Sequence, residues 1–321
     1  MPELPEVETV VRTFRPHVLG KCVLEVDEVR RPCFVPEGLK PKEALGLKVL
    51  DVFRRGKFIV CRLGGPDAMI TDARDFRSFE KAAREREGTN GRELFWVTHL
   101  RMTGTLMAYE GQDRDKESAR SGRHTRFRAL LGKSPDAGGK DGAHAPDPDG
   151  TVVLFNDQRT FGRMFLGERE RLLSWSSWAK LGPEPLDMGE EAFVCALKGR
   201  RAVKSVLMDQ TVVAGIGNIY ADESLFAAGI WPGIPAERVS GRARARLYAE
   251  LVRLLNLSIE ECGSSIRDYH DADGNVGAFQ NHFQVYGRGG EKCLSCGRTL
   301  KKIVLGGRGT VYCPHCQKRR A

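Results

Sequence analysis

The sequence predicts an α+β protein with a strand-rich first half, a helical second half and a small cysteine-rich module at the end. Three observations support this class. Short apolar runs separated by turn residues fill the chain up to about residue 166. Longer segments with the apolar period of an α-helix begin near residue 168. Two Cys-x-x-Cys pairs lie near the end of the chain.

A helix is predicted directly after the second residue. Its apolar residues are spaced i, i+3, i+4, i+7 and i+11, which places them on one helix face: Val7, Val10, Val11, Phe14 and Val18. Strands are then predicted over residues 22–29, 48–53, 58–63, 94–100, 105–109, 125–131 and 151–155. Several short strands of this kind indicate a β-sandwich or a barrel.

Four helices are predicted in the second half, over residues 190–197, 202–208, 219–228 and 239–262. The last of these has an apolar stripe of helical period at Leu247, Leu251, Leu254, Leu255 and Ile259. A Gly- and Pro-containing break at 181–185 marks a boundary. Two segments have the composition of insertions. Residues 132–150 are mostly Gly, Asp, Ala and Pro and are predicted to be a disordered hairpin tip. Residues 64–92 are dense in both charges, and we expect them to decorate the surface.

Charge and cysteine content limit the class of protein. The 321 residues carry a formal charge of +9, which suggests an anionic partner. Between residues 283 and 321, nine Lys or Arg residues accompany a single acid, Glu291, so the end of the chain carries most of the excess. There is no apolar run of membrane-spanning length and no signal-peptide pattern. Nine cysteines without a paired framework favour a reducing compartment, so we expect a cytoplasmic protein (nucleoid-associated if prokaryotic) that is not secreted.

The two cysteine pairs predict one structural zinc ion. Cys293 and Cys296 are followed after sixteen residues by Cys313 and Cys316, a spacing typical of a tetrahedral four-cysteine site. Four protein ligands leave no open position for water. His315 stays open as a competing ligand at this point.

Several turns combine glycine with basic or aromatic residues. Arg308 lies at a Gly-flanked hairpin tip between the cysteine pairs, where it could bind phosphate or be a solvated turn. Residues 54–58 form a basic cluster that opens a strand, and by itself such a cluster is typical of a solvated strand edge. Residues 214–220 form a glycine-rich turn into a helix, whose exposed amides would favour phosphate. Residues 99–104 and 156–162 place Met, Arg and Phe on turns, where they could wedge between bases or simply belong to the core.

Pro2 offers a nucleophile if Met1 is removed. An α-amino group has a reference pKa of about 7.7–8.0, so roughly a tenth of it is neutral at pH 7. Attack of such an amine on a sugar C1′ gives an iminium and divides one hard step into two easier ones. A proline at this position could also simply precede the helix.

Together these segments resemble the formamidopyrimidine-DNA glycosylase family over nearly the whole chain. The resemblance is carried by the opening residues 2–8 (PELPEVE), the strand that begins near Lys57, the 99–104 turn, and residues 159–162 and 181–186. It continues through residues 215–221, 226–230 and 284–288 and through the cysteine module. It implies an N-terminal β-sandwich with a leading helix, a helical helix–two-turn–helix domain and a C-terminal β-hairpin zinc finger.

The resemblance also implies a domain organisation and a partner. The catalytic sandwich domain would span 2–166, the DNA-binding helical domain 167–282 and the zinc finger 283–321, with damaged double-stranded DNA in a basic cleft between the two halves. The protein would act as a monomer, without a membrane and without an organic cofactor. Its activity would be base-excision repair: removal of oxidised purines (8-oxoguanine, formamidopyrimidines), followed by β,δ-elimination through a Schiff base.

Residue roles follow from the same resemblance. Pro2 would be the nucleophile and Glu3 the general acid and base, with Lys57 and Arg308 assisting at the phosphates beside the lesion. Contacts to DNA would come from Met102, His124, Arg159, Phe161, Asn218 and Glu6: Met102, Arg159 and Phe161 would fill the gap left by the flipped base, and Glu6 would line the lesion pocket. The loop 268–280 would close over the lesion.

Two positions depart from the family pattern. Arg101 stands where a glycine is usual before the wedge methionine, and Thr160 stands where a second arginine is common. Arg101 could change how the wedge turn meets DNA. Segment 64–92 adjoins the same wedge strand, where it could add a DNA contact or only decorate the surface.

Two other functions are compatible with parts of the sequence. The endonuclease VIII branch removes oxidised pyrimidines, although Leu4 and the 269–277 loop favour the purine branch. A non-catalytic zinc-ribbon DNA-binding protein would explain the basic end and the cysteines, but it would not explain Pro2, Glu3 and Lys57 together.

Overall fold

The computed structural model describes residues 1–29, 32–70, 92–115, 121–133, 150–265 and 269–319. Most of both predicted insertions, 64–92 and 132–150, lies outside these ranges. The chain divides into two compact units. The first comprises Met1–Pro2, Glu6–Ala179 and Ser265–Val276, and the second comprises Glu3–Pro5, Lys180–Ser264 and Gly277–Ala321.

The first unit contains most of helix α1 (Leu4–Val18) and eight antiparallel strands. The strands are β1 (Cys22–Glu28), β2 (Lys48–Arg55), β3 (Phe58–Gly64), β4 (Leu94–His99), β5 (Gly104–Glu110), β6 (Thr125–Gly132), β7 (Thr151–Asp157) and β8 (Arg163–Gly167). All seven predicted strands are present to within a few residues. The prediction missed β8, whose five residues are too few to show a period.

The strand order β5-β7-β6-β1-β2-β3-β4-β8 forms two four-stranded halves. β1 and β2 pair only between Cys22 and Lys48, so the sheet folds over at this junction. One apolar core contains residues of both halves, and Trp96 and Phe127 meet edge to face with ring centroids 4.8 Å apart. Because β5 and β8 remain at the two ends of the order, the arrangement is an open sandwich, as predicted, and not a barrel.

Helix α1 covers the sandwich with the predicted face. Val7, Val10, Val11, Phe14 and Val18 are all buried in the sandwich core. Two short helices follow the last strand, α2 (Arg169–Ser174) and α3 (Ser176–Ala179). Neither was predicted, since each is too short for a helical period to show in the sequence.

The second unit has a helical core and the final hairpin. Its helices are α4 (Glu190–Ala196), α5 (Val203–Leu207), α6 (Asn218–Ala227) and α7 (Gly241–Glu260), each within two residues of its predicted bounds. The stripe predicted on α7 is buried at Leu247, Leu251, Leu254 and Leu255. Ser240 caps this helix by accepting a hydrogen bond from the Ala243 amide. Strands β9 (Lys301–Leu305) and β10 (Arg308–Tyr312) pair as a two-stranded sheet.

Short 3₁₀ helices connect these elements at Pro41–Ala44, Gly111–Asp115, Ala236–Arg238 and Phe279–His282. No helix in the described ranges is both long and apolar enough to span a membrane.

Candidate functional site

The carboxylate of Glu3 is held at the N-terminus of α6. Glu3 is 2% exposed and follows the buried Pro2 in the chain. One carboxylate oxygen accepts a hydrogen bond from the Gly217 amide at 2.6 Å, and the other accepts from the Ile219 amide at 2.9 Å. Two fixed donors, one on each oxygen, set both the position and the plane of the carboxylate.

The glycine-rich turn before α6 gives Glu3 its space. A Cβ atom at Gly217 would lie 2.4 Å from the carboxyl carbon of Glu3. Gly215 has φ +96°, a conformation that favours glycine, and its carbonyl accepts the Leu4 amide at 3.0 Å. These glycines therefore position Glu3 and Leu4. The prediction that the turn leaves exposed amides for phosphate is wrong for Gly217 and Ile219, because Glu3 takes both.

We expect Gly217→Ala to lower base excision strongly while the fold is kept. The backbone of Gly217 is extended (φ −131°), so alanine is tolerated there, and only the contact with Glu3 is lost. Single-turnover excision with thermal unfolding measured alongside checks this. Gly241→Ala is the matched control, since nothing lies within 4 Å of its Cβ position. Equal activity of the two variants would contradict this role of Gly217.

Asn218 and Arg308 belong to one hydrogen-bonded corner of the second unit. Gly306 and Gly307 form the hairpin tip with φ +54° and +73°, and Arg308 follows with an exposed side chain. The Asn218 side-chain amide donates to the Gly309 carbonyl at 3.0 Å. Its side-chain oxygen is buried without a hydrogen-bond partner, although Asn218 itself is half-buried.

Lys204 is a functional candidate that the sequence prediction missed. Its side chain is 1% exposed, and its ammonium lies 2.7 Å from Asp222 Oδ1. It also donates to Thr310 Oγ1 at 2.8 Å and to the Gly309 carbonyl at 3.2 Å. Burial raises the pKa of Asp222 to about 6 although Lys204 opposes the shift. A lysine between the apolar residues of a short helix was the available signal.

Lys57 and His99 lie on one edge of the sandwich. Lys57 occupies the two-residue turn between β2 and β3 with Gly56, which has φ +58°. Phe58 pairs with His99, and His99 pairs with Arg163, so the three strands end together. Lys57 is 5% exposed, which contradicts a solvated basic edge at this position.

His99 is a neutral imidazole in this setting. Burial, then the positive charges of Arg101 and Lys57, lower its pKa to about 3. Its Nδ1 accepts the Arg101 amide at 3.0 Å, which leaves the proton on Nε2. In the sequence His99 is only the first residue of the 99–104 turn, and the structure shows that it is buried beside two cations.

The three predicted wedge residues lie on two adjoining turns. Met102 and Phe161 are 42% and 54% exposed, and an Arg159 guanidinium nitrogen lies 3.5 Å from the Met102 sulfur. The buried Asp157 carboxylate joins the turns by accepting Thr103 Oγ1 at 2.6 Å and the Gly162 amide at 2.6 Å. The exposure of Met102 and Phe161 argues against the alternative that both belong to the core.

Arg101 and Thr160 both have left-handed backbone, with φ +54° and +60°. Such a conformation costs a non-glycine residue on the order of 1–2 kcal/mol. The left-handed conformation explains why glycine suits position 101. It also places strain in each of the two wedge turns. Thr160, a β-branched residue, is the less usual of the two.

His124 and Glu6 occupy separate parts of the first unit. His124 is half-buried at the start of β6, and its carbonyl accepts the Asp157 amide at 2.9 Å, next to the wedge turns. Glu6 is 1% exposed on α1, and its carbonyl accepts the Tyr269 hydroxyl at 3.1 Å. The predicted lesion loop 268–280 therefore reaches Glu6 through Tyr269; its first residue lies outside the described residues.

The four cysteines form a cluster that fits one zinc ion. The sulfurs of Cys293, Cys296, Cys313 and Cys316 lie within 4.8 Å of one another. The Cys293–Cys316 and Cys296–Cys313 distances are 3.9 and 3.5 Å. Zn–S bonds of about 2.3 Å in a tetrahedron require sulfurs about 3.8 Å apart. His315 is exposed and outside the cluster, so the cysteines are the ligands.

Three protein-family models match consecutive parts of the chain. The formamidopyrimidine-DNA glycosylase N-terminal domain matches residues 1–164, the H2TH domain of the same enzymes 181–270, and the zinc finger found in FPG and IleRS 290–319. The chain belongs to the formamidopyrimidine-DNA glycosylase family. Members of this family are DNA glycosylases of base-excision repair with AP lyase activity, and the resemblance drawn from the sequence is confirmed.

Relatives and solved structures match this chain over nearly its full length. Formamidopyrimidine-DNA glycosylases of Exiguobacterium sp. and Geobacillus kaustophilus are 38% and 36% identical, over 99% of this chain and 100% of each relative. The crystal structure of the Thermus thermophilus MutM (FPG) protein matches with a TM-score of 0.74 and 34% identity, covering 98% of both chains. Lactococcus lactis Fpg in complex with abasic-site DNA matches with a TM-score of 0.75 and 30% identity, covering 98% of this chain and 99% of the other.

Proposed function

We propose that this glycosylase removes oxidised purines from duplex DNA and then cleaves the abasic strand through a Schiff base on Pro2. The observation that carries the proposal is the carboxylate of Glu3, fixed by two backbone amides of the second unit and adjacent in sequence to Pro2. Similar proteins have been crystallised with DNA that contains carbocyclic 8-oxo-G or Fapy-dG, which supports the purine class.

The proposed reaction needs one nucleophile and one proton carrier. Once Met1 is removed, the Pro2 nitrogen bonds to C1′ of the damaged nucleoside and the bond from C1′ to the base breaks. Glu3 protonates the ring oxygen as the sugar opens and the iminium forms. Loss of a C2′ proton then breaks the C3′–O bond, and a second elimination breaks the C5′–O bond. Hydrolysis of the imine releases the enzyme and leaves a one-nucleotide gap.

We propose that the remaining site residues bind and distort the DNA. In the second unit, Arg308 and Asn218 contact phosphates of the bent strand. In the first unit, Lys57 binds the phosphate beside the lesion, and Met102, Arg159 and Phe161 fill the space of the flipped base. His124 adds a DNA contact beside the wedge turns, and Glu6 lines the pocket. The exposed Met102 and Phe161, both on strained turns, support this assignment.

We further propose the three-part organisation of 2–166, 167–282 and 283–321, acting as a monomer on DNA in the cytoplasm. The order of the family-model matches and the separate cysteine module are consistent with it. The zinc ion would be structural, since its four ligands are all cysteines and hold the hairpin that carries Arg308.

Borohydride trapping tests the covalent step. An oligonucleotide with 8-oxoguanine opposite cytosine should give a protein–DNA adduct of one-to-one mass, and peptide mapping should place the DNA on Pro2. A mature protein that keeps Met1 and still cuts oxidised duplexes would refute the proposal. Faster excision of thymine glycol than of 8-oxoguanine would instead favour the pyrimidine-specific endonuclease VIII branch.

We expect Arg308→Ala to weaken DNA binding about equally for all sequences. A phosphate contact carries no base information, and its loss should flatten the slope of log K against log salt by about one unit. Salt-dependent fluorescence anisotropy measures this. Arg298→Ala is the matched control, because it removes the same charge from an exposed position of the zinc finger away from the tip. An unchanged slope for Arg308→Ala would remove it from the phosphate contacts.

A further inference from the structure

Segment 269–276 belongs to the first unit and packs into its sandwich core. Tyr269 and Ala272 are 8% and 0% exposed and belong to the sandwich core. The Ala272 carbonyl accepts the Ala108 amide on β5 at 3.1 Å, and the Ala272 amide donates to Thr13 Oγ1 on α1 at 3.0 Å. With the Tyr269 hydroxyl on the Glu6 carbonyl, these contacts join the segment to both α1 and β5.

The tip of the segment is a preformed turn. The buried Asp271 carboxylate accepts the amides of Asp273 and Asn275 at 3.0 and 2.8 Å. Gly274 allows the turn with φ +88°. The side chain of Asp273 is consequently held at a fixed place, half-exposed beside α1.

His17 on α1 lies between two carboxylates. Its Nε2 is 2.6 Å from Asp273 Oδ1, and its Nδ1 is 2.8 Å from Glu110 Oε2 on β5. Carboxylate oxygens only accept hydrogen bonds, so both ring nitrogens must carry protons for both bonds to form. The geometry therefore requires the imidazolium form of His17.

Among the described residues, the other polar side chains beside His17 contact Glu110 and do not contact Asp273. The Lys21 ammonium contacts Glu110 Oε1 and Thr151, and Thr151 Oγ1 donates to the His17 carbonyl at 2.9 Å. Within the described ranges, the structure gives the Asp273 carboxylate one cationic contact, His17. Loss of the His17 proton would thus leave the end of the loop without its charged partner.

We propose that His17 is a positioning residue that holds loop 269–276 in place for recognition of the damaged base. This inference rests on the proposed function, in which the same loop covers the lesion. Tyr269, in the held loop, touches Glu6, which is assigned to the lesion pocket. An abasic site has no base for the loop to cover, so His17 governs base excision and leaves abasic-strand cleavage unaffected.

The sign of the pH dependence follows from the surroundings of His17. Burial lowers its pKa, but hydrogen bonds and charges of Glu110 and Asp273 outweigh burial and raise the pKa above its ordinary 6.5. The contact is fully present below pH 6.5 and is lost as pH rises through the raised pKa. The pKa of Glu110 is lowered by Lys21, His17 and Thr151 despite burial, so this carboxylate is protonated only in acid.

Hydrogen exchange on the full-length protein tests directly whether His17 holds loop 269–276 in place. After correction for intrinsic rates, exchange of peptides covering 269–276 should rise with pH above 6.5 in the unmodified protein. His17→Ala should exchange about tenfold faster at pH 6, the factor expected for loss of one charged hydrogen bond, and without this pH dependence. Asp273→Asn removes the negative charge of the same contact from the half-exposed loop and should also speed exchange of these peptides at pH 6. His282→Gln, which removes an exposed histidine near Glu261, is the control.

Single-turnover kinetics test whether the contact between His17 and Asp273 affects base excision. His17→Ala and Asp273→Asn should slow excision of 8-oxoguanine about tenfold at pH 6 and leave cleavage of a preformed abasic site unchanged. Unchanged hydrogen exchange in both variants overturns the proposal. Faster exchange without slower excision of 8-oxoguanine also overturns it, and so does an equal loss of rate on the 8-oxoguanine and abasic-site substrates. If the unmodified protein cleaves neither substrate, the proposed function fails, while exchange still decides whether His17 holds the loop.

Discussion

Glu3→Gln should lower base excision by about two to four orders of magnitude, the usual contribution of a positioned proton carrier. An amide at this position cannot donate the proton that opens the sugar. It would also direct an NH₂ group at one of the two backbone amides that now donate to Glu3. Single-turnover excision of 8-oxoguanine, measured with excess enzyme, isolates this step from product release. Normal strand nicking by the Glu3→Gln protein would contradict the assignment.

Glu223→Gln supplies the matched control for this change. Glu223 is also 2% exposed, and it accepts the amides of Gln284, Val285 and Tyr286 at 2.7 to 2.9 Å. Its substitution should lower the thermal unfolding temperature and retain most of the excision rate. A similar loss of excision in both variants would mean that Glu3 acts through stability alone.

Pro2→Gly separates the nucleophile from the proton carrier. A glycine terminus presents a primary amine, so we expect borohydride trapping to be weakened and not abolished. The amount of adduct formed on a preformed abasic site measures the nucleophile without the base-excision step. An adduct that maps to a residue other than the N-terminal one would move the nucleophile to another amine.

Cys313→Ser should remove the zinc ion and, with it, most of the affinity for DNA. Cys313 is fully buried, and structural zinc contributes about 10–16 kcal/mol to the folding of zinc-finger peptides. Without the metal, β9 and β10 lose their anchor, since the apolar cluster around them is small. Arg308 and the Gly309 carbonyl bound by Asn218 and Lys204 then lose their fixed positions.

Metal analysis and anisotropy together measure this outcome. The unmodified protein should bind one zinc ion per chain, and Cys313→Ser should bind less than one and bind DNA weakly at every salt concentration. Cys195→Ser is the control, because Cys195 is exposed on α4 and outside the cluster. A zinc-free Cys313→Ser protein with unchanged DNA affinity would show that the finger is dispensable for binding.

Local patterns in the sequence determined most of the fold. The apolar stripe on α1, the seven strands and the stripe on α7 are all properties of neighbouring residues, so each could be predicted without knowing what it packs against. The cysteine ligands could also be predicted from local sequence. Each pair lies within four residues, and this spacing alone fixes the geometry at one side of the metal. The short elements β8, α2 and α3 were missed, since four to six residues do not display a period.

The sequence by itself also determined which family the chain belongs to and which residues are candidates for chemistry. The tertiary structure alone decided how they are held. Glu3 and Gly217 are 214 positions apart, and nothing local predicts that one glycine makes room for that carboxylate. The Lys204–Asp222 pair and the contact of His17 with Asp273 are likewise long-range. Such contacts depend on the packing of distant elements, whereas periodicity and ligand spacing depend only on the geometry of a short piece of chain.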